Sequence, residues 1–203
     1  MTQAFSTKHR ILGAAEELFA RHGFGSTSLR QITSHADVNI AAVNYHFGSK
    51  ENLVEELFRR RMDQMSTDRR NALQKALSDK DVTLESVLRA YIEPALQMGR
   101  KHNGGHFVRI LARAYAEQND RLRKFLSENY GSVQRDFAKA IDQVRPGLSK
   151  EQMYLRLDFV AGALTYTLSE FGMVKRAAGV SEAQHLDKLT DTLISFCAAG
   201  FKS

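Results

Sequence analysis

Residues 41–46 present a helical face that is poor in charge and rich in groups that fit DNA. Ala41 and Ala42 are small enough to let a helix backbone sit deep in a groove, and their methyls can touch a thymine methyl. Asn44 carries the paired donor and acceptor that read an adenine edge. Tyr45, His46 and Lys50 suit phosphate oxygens, as does Thr27 at a helix start. An ordinary solvated face would carry Lys and Glu here. The competing reading is a helix packed against another protein domain, because paired helices are common.

The elements that must position this face can be read from spacing and caps. Leu29, Ile32 and Ala36 recur at i, i+3 and i+7, one side of a short helix. Ser28 and Gln31 have the spacing of a capping box, with Thr27 as an alternative cap. Asp37, Val38 and Asn39 form a turn, and Val38 can plug the gap between two helices. Asn39 is suited to cap the next helix, in which Ile40, Val43 and Phe47 share one side. Gly48 suits a left-handed helix end, and Ser49 can cap a fourth helix. A preceding helix spans roughly 7–22, with Ile11, Ala15, Leu18, Phe19 and His22 on one stripe. Helix, turn and helix in this order place one helix in the major groove.

The stretch resembles the DNA-binding region of TetR-type transcriptional regulators. The resemblance rests on Ala14-Ala15, Leu18-Phe19 and Gly23-Phe24 in the first helix and its exit, and on VNIAAVNYHFGSKENL at 38–53. About 50 residues carry it. It implies an all-α protein with an N-terminal three-helix helix-turn-helix domain over residues 1–50. A helical ligand-binding and dimerisation domain would cover 51–203, giving about nine helices. Segment 27–50 is also similar to the PsrA-type fatty-acid-responsive repressors within that family, with a looser echo over 107–137. That likeness implies a fatty acid or acyl-CoA inducer and control of lipid-metabolism genes. The alternatives are a regulator of efflux or stress genes with another hydrophobic inducer, and a helical lipid carrier that binds no DNA.

The rest of the chain reads as helices near 50–77, 82–101, 106–116, 118–144, 150–174 and 182–200, with Pro94 expected to kink or divide the second of these. Aromatic and long aliphatic residues concentrate there: Leu88, Tyr91, Ile92, Phe107, Ile110, Leu111, Phe125, Tyr130, Phe137, Phe159 and Tyr166. Each can be plain core; together they suggest an apolar cavity for a small lipophilic inducer. Arg100, Lys101, Arg109, Arg113, Arg121, Arg123 and Lys124 fall close together. They form either a solvated face or an electropositive mouth for an anionic ligand, with Arg113 the candidate contact. Helices over 150–174 and 182–200 are the candidate interface of a twofold homodimer. Phe159, Leu164, Leu168, Leu193, Ile194 and Phe196 supply apolar area, and Ala161, Gly162, Ala163, Gly172, Ala198 and Ala199 permit close approach. Such a dimer would read a pseudo-palindromic double-stranded DNA operator.

Other chemistry finds little support. Cys197 is the single cysteine and has no flanking turn to expose it, so no internal disulfide can form and a reducing cytoplasm fits. His102 and His106 are four apart, but Asn103-Gly104-Gly105 disfavours the helix that would make them a metal pair. No phosphate loop, serine elbow or Cys-x-x-Cys occurs. Neither an enzyme, a cofactor nor a metal is expected. There is no run of about 18 apolar residues, and MTQAFSTKHR lacks the apolar core of a signal peptide, so no membrane partner is expected. The net charge is +6, yet residues 1–50 hold five cations (Lys8, Arg10, Arg21, Arg30, Lys50) against three acids (Glu16, Glu17, Asp37). Most of the excess lies elsewhere, and charge is weak support for DNA binding.

Overall fold

The computed structural model describes residues 6–100, 104–169 and 176–202. Among them are nine α-helices and no strand: α1 (Thr7–His22), α2 (Leu29–His35), α3 (Ile40–His46), α4 (Lys50–Leu77), α5 (Leu84–Arg100), α6 (Gly104–Ala116), α7 (Asp120–Val144), α8 (Lys150–Leu168) and α9 (Glu182–Lys202). Lys101, His102 and Gly172 lie outside the described residues. No described helix is long and apolar enough to cross a membrane.

Short polar side chains start the helices by accepting orphan N–H groups. Ser28 caps α2 in a full capping box with Gln31, Asn39 caps α3, Ser49 caps α4, and Ser149 caps α8 in a second box with Gln152. Gly48 ends α3 with φ 75°, and Asp37 turns the chain between α2 and α3 with φ 50°. Asp tolerates that left-handed region because its short side chain bonds locally.

Two apolar cores result. One gathers α1, α2, α3 and the first half of α4 with Phe107, Ile110 and Ala114 of α6 and Leu122, Phe125 and Tyr130 of α7. The other joins the second half of α4 to α5, α7, α8 and α9. The expected boundary at residue 50 is therefore not a boundary between cores: α6 and the start of α7 complete the N-terminal one. A chain of rings crosses that boundary. Phe24 lies 5.1 Å from Phe19 and 6.4 Å from Phe58, and Phe58 meets Phe107 edge-on at 5.2 Å.

Several local expectations change. Pro94 lies inside a continuous α5 rather than dividing it. Gly104 and Gly105 belong to the first turn of α6, ahead of the start near 106 that the spacing predicts. A Cβ on Gly104 would sit 2.3 Å from the Met98 carbonyl oxygen, so only glycine lets the α5 and α6 backbones approach this closely. His22 is exposed at the end of α1 instead of completing its apolar stripe.

Candidate nucleic-acid interface and ligand cavity

The reading helix α3 is short, and its inward side is Val43, fully buried, followed by Phe47. Ile40, assigned by spacing to that side, is 41 % exposed. It is the first helical residue, beyond the reach of the core beneath Val43, and it joins Ala41, Asn44 and Tyr45 outside. Tyr45 is 85 % exposed, the most exposed of the large apolar side chains described. Ala42 is half-buried and packs against the core. His46 is half-buried between the rings of Tyr45 (5.1 Å) and Phe47 (6.1 Å).

Two proposed backbone contacts turn out to be scaffold. Thr27 is 1 % exposed, and its hydroxyl donates to the Gly23 carbonyl at 2.8 Å, which closes the α1–α2 corner. Lys50 is half-buried, with Nζ donating to the Phe24 carbonyl of the same corner. Neither side chain is available to a phosphate in this arrangement. Asn39 is exposed but spends its side-chain oxygen on the Ala41 N–H at 2.9 Å, and Ser28 likewise serves Gln31 at 3.2 Å. Two residues read from the sequence only as charges hold the turn. Arg10 donates from α1 to the Ala36 carbonyl at 2.7 Å and also to that of Asp37. Glu17 meets His35 at 3.0 Å, and that hydrogen bond, helped by Arg21, holds its carboxyl below the usual range. Only the long side chain of Arg10 signalled its role, and no spacing rule pairs it with a carbonyl 26 residues away.

A cavity of about 690 Å³ lies between α4, α5, α6, α7 and α8. That volume is typical of a small-molecule site. Of the proposed ligand residues, Tyr91, Phe107, Leu111 and Tyr130 line it. Leu88, Ile92 and Phe137 are buried in the C-terminal core, and Ile110 and Phe125 in the N-terminal one, because each faces a neighbouring helix rather than the void. Phe159 (69 % exposed) and Tyr166 (56 %) point outward. Leu164 and Leu168, assigned to a dimer seam, line the cavity instead, and a Cβ on Gly99 would meet Leu168 at 2.6 Å. Leu193, Ile194 and Ala198 are buried in the monomer, while Ala163 is half-buried and Phe196 is 70 % exposed.

The basic cluster is mostly engaged in tying elements together. Arg113 donates to the Arg21 carbonyl at 2.8 Å, and Glu117 accepts from the Phe24 N–H at 3.3 Å. Arg121 reaches Glu55 at 2.8 Å and Asn52 at 2.9 Å on α4. Arg123 pairs with Asp120 at 3.0 Å, and Lys124 with Glu128 at 3.9 Å. Arg113 is thus a strut between the α6–α7 corner and the α1–α2 corner, not the ligand contact expected. The same α6–α7 corner lines the cavity through Gln118, Asn119 and Asp120.

No group of three or more metal-ligating side chains occurs among the described residues. Cys197 is buried, and burial pushes its thiol up to about 11, so it stays protonated near neutrality and is a poor nucleophile.

A helix-turn-helix followed by a helical domain with an internal cavity defines a class, and comparison with known proteins agrees. Residues 11–57 match the bacterial regulatory proteins of the tetR family, and residues 89–200 match the tetracyclin repressor-like C-terminal domain. The chain belongs to the TetR family of transcriptional regulators. It is 34 % identical over 134 residues to the HTH-type transcriptional regulatory protein RaaS of Mycobacterium tuberculosis, covering 63 % of this chain and 59 % of that one. It is 46 % identical over 52 residues to the probable HTH-type transcriptional regulator YttP of Bacillus subtilis, covering 26 % and 25 %. The matched region thus spans less than two thirds of either relative. Two solved structures share the fold at low identity. The fatty acid degradation regulator FadR from Bacillus halodurans has TM-score 0.67 and 16 % identity, covering 97 % of this chain and 96 % of its own. FadR from Bacillus subtilis, in complex with stearoyl-CoA, has TM-score 0.67 and 17 % identity, covering 95 % and 98 %.

Proposed function

We propose that this protein is a homodimeric, sequence-specific DNA-binding repressor of the cytoplasm, released from a pseudo-palindromic operator by a lipophilic anionic inducer and controlling lipid-metabolism genes. One observation carries the reading. Of seven large apolar side chains left exposed among the described residues, two (Ile40, Tyr45) lie on the reading helix and four (Leu155, Phe159, Tyr166, Phe196) on α8 and α9. Exposed apolar patches mark interaction surfaces. Here they fall where a groove-binding face and a twofold seam are needed. The 690 Å³ cavity supports a small-molecule effector, and likeness to two fatty-acid-linked regulators supports a lipophilic one.

Switching requires a link between the cavity and the reading helix, and two are present. The first is α4, which contributes Leu53, Leu57 and Phe58 to the N-terminal core and Met65 and Leu73 to the other. The second is the α6–α7 corner, which borders the cavity and holds the α1–α2 corner through Arg113 and Glu117. A ligand that shifts either element must bind the two states differently, with a coupling of about 1–3 kcal/mol.

The test is a DNA titration on the protein's own upstream region, with and without a panel of fatty acids and acyl-CoAs. Tyr45→Ala is expected to weaken binding to every sequence, and Asn44→Ala to relax preference at one base position by about 1–3 kcal/mol. Unchanged binding in both variants would remove the reading face. No sequence-specific shift at all would leave a lipid carrier, and a response only to non-lipid hydrophobic compounds would leave an efflux or stress regulator. Glu117→Ala should keep ligand affinity while cutting the ligand's effect on DNA affinity at least threefold. An undiminished effect would leave the coupling to α4 and to the Arg113 strut.

A further inference from the structure

The cavity holds a buried cation whose charge the DNA reading does not employ. Arg69 of α4 is 8 % exposed and lines the cavity. Its Nε donates to the Tyr91 carbonyl at 2.8 Å, and its guanidinium carbon sits 3.7 Å from the centroid of the Tyr91 ring. Among the described residues it makes no ion pair. Nε and the guanidinium face hold α4 against α5, which leaves the two Nη groups, the fork that matches a carboxylate, uncommitted. Arg keeps its charge at any physiological pH, so the inner wall stays positive. No buried side-chain nitrogen among the described residues lacks a partner, so the free Nη groups open onto accessible space, where a ligand can supply the counter-charge.

The surroundings define what supplies it. Ser66, one turn earlier on α4 and also buried, lines the same cavity, while Met62, Met65, Tyr91, Ala95, Met98 and Leu111 make the neighbouring wall apolar. The lining carboxylates, Asp120 and Asp158, stand at exposed positions, and Asp120 already pairs with Arg123. The exposed lining thus carries the Asp120–Arg123 pair and Asp158, and the one charged group inside is Arg69. A coenzyme A head carries more negative charge and more bulk than one inner cation can match.

We propose that Arg69 is the headgroup-reading residue of the cavity, and that the effector is a long-chain carboxylic acid that enters carboxylate first and pairs with the Nη groups. This rests on the reading of the cavity as the effector site. The experiment measures binding of palmitate, methyl palmitate and palmitoyl-CoA to the full-length wild type, R69Q and R69K by titration calorimetry. Palmitate should bind the wild type at least tenfold more tightly than its ester, R69Q should lose that preference, and R69K should retain part of it. Ester affinity should be the same in all three. A wild-type acid-to-ester ratio near one overturns the proposal even if R69Q fails to fold, and so does R69Q with the wild-type ratio; both leave the cavity reading intact. Tighter binding of palmitoyl-CoA than of palmitate overturns the free acid as effector together with its carboxylate-first pose, and leaves the cavity reading intact. Absence of binding by all three probes overturns the proposal and the cavity reading together.

Discussion

Phe107→Ala is expected to destabilise the protein by about 3–5 kcal/mol, the usual cost of deleting a fully buried ring, and to lower Tm by roughly 10 °C at this chain length. Phe107 is fully buried, packs edge-on against Phe58, and belongs to the core that also holds Ile32, Val43 and Phe47 under the reading helix. It also lines the cavity, so truncation enlarges a void that nothing nearby is shaped to fill. DNA affinity should fall with stability, since α3 rests on the same core. The check is a thermal melt monitored by far-ultraviolet circular dichroism. A Tm within about 3 °C of wild type, with loss of ligand binding only, would mean that Phe107 serves the ligand and not the frame.

Phe159→Glu should convert a dimer to a monomer and cut affinity for a palindromic operator by about 100-fold or more, because one module loses the second half-site. Two copies of the new carboxylate would face each other across a twofold, and like charges in an interface cost several kcal/mol. Phe159 is 69 % exposed on α8, close in exposure to Phe196 on α9 at 70 %. The monomer's own core gains little from either ring, so the melting temperature of the isolated subunit should hardly move. Sedimentation velocity together with a gel shift reads both effects. An intact dimer in the variant would move the interface away from α8.

The helix-turn-helix was legible because its signals are local. Capping by Ser28, Asn39 and Ser49, the apolar triplet Leu29, Ile32 and Ala36, and the left-handed Gly48 each depend on residues close together in the chain. Ile40 was misplaced because spacing alone cannot say where the core beneath a two-turn helix ends. Thr27 and Lys50 look like phosphate ligands by type. Their true partners are carbonyls of the α1–α2 corner, and a corner is made by packing rather than by period.

Further along the chain, type and periodicity are silent on the point that matters. A buried Leu88 and a cavity-lining Leu111 have the same side chain, and only the meeting of five helices separates core from void. Arg113 and Arg69 are equally basic in sequence. One ends on a main-chain carbonyl of the DNA-binding part, the other in the cavity wall. The proposed seam shows the same division: Phe159 and Phe196 remain outside while Leu164, Leu168 and Leu193 turn inward.

By itself, then, the sequence determined an all-helical chain, its helix-turn-helix and the caps that frame it, because helix period and capping act over about four residues or fewer. Tertiary structure alone decided which aromatics enclose a cavity, which arginine faces it, and that α6 completes the core beneath the reading helix. Those outcomes depend on contacts between residues tens of positions apart, which close packing settles and no local pattern encodes.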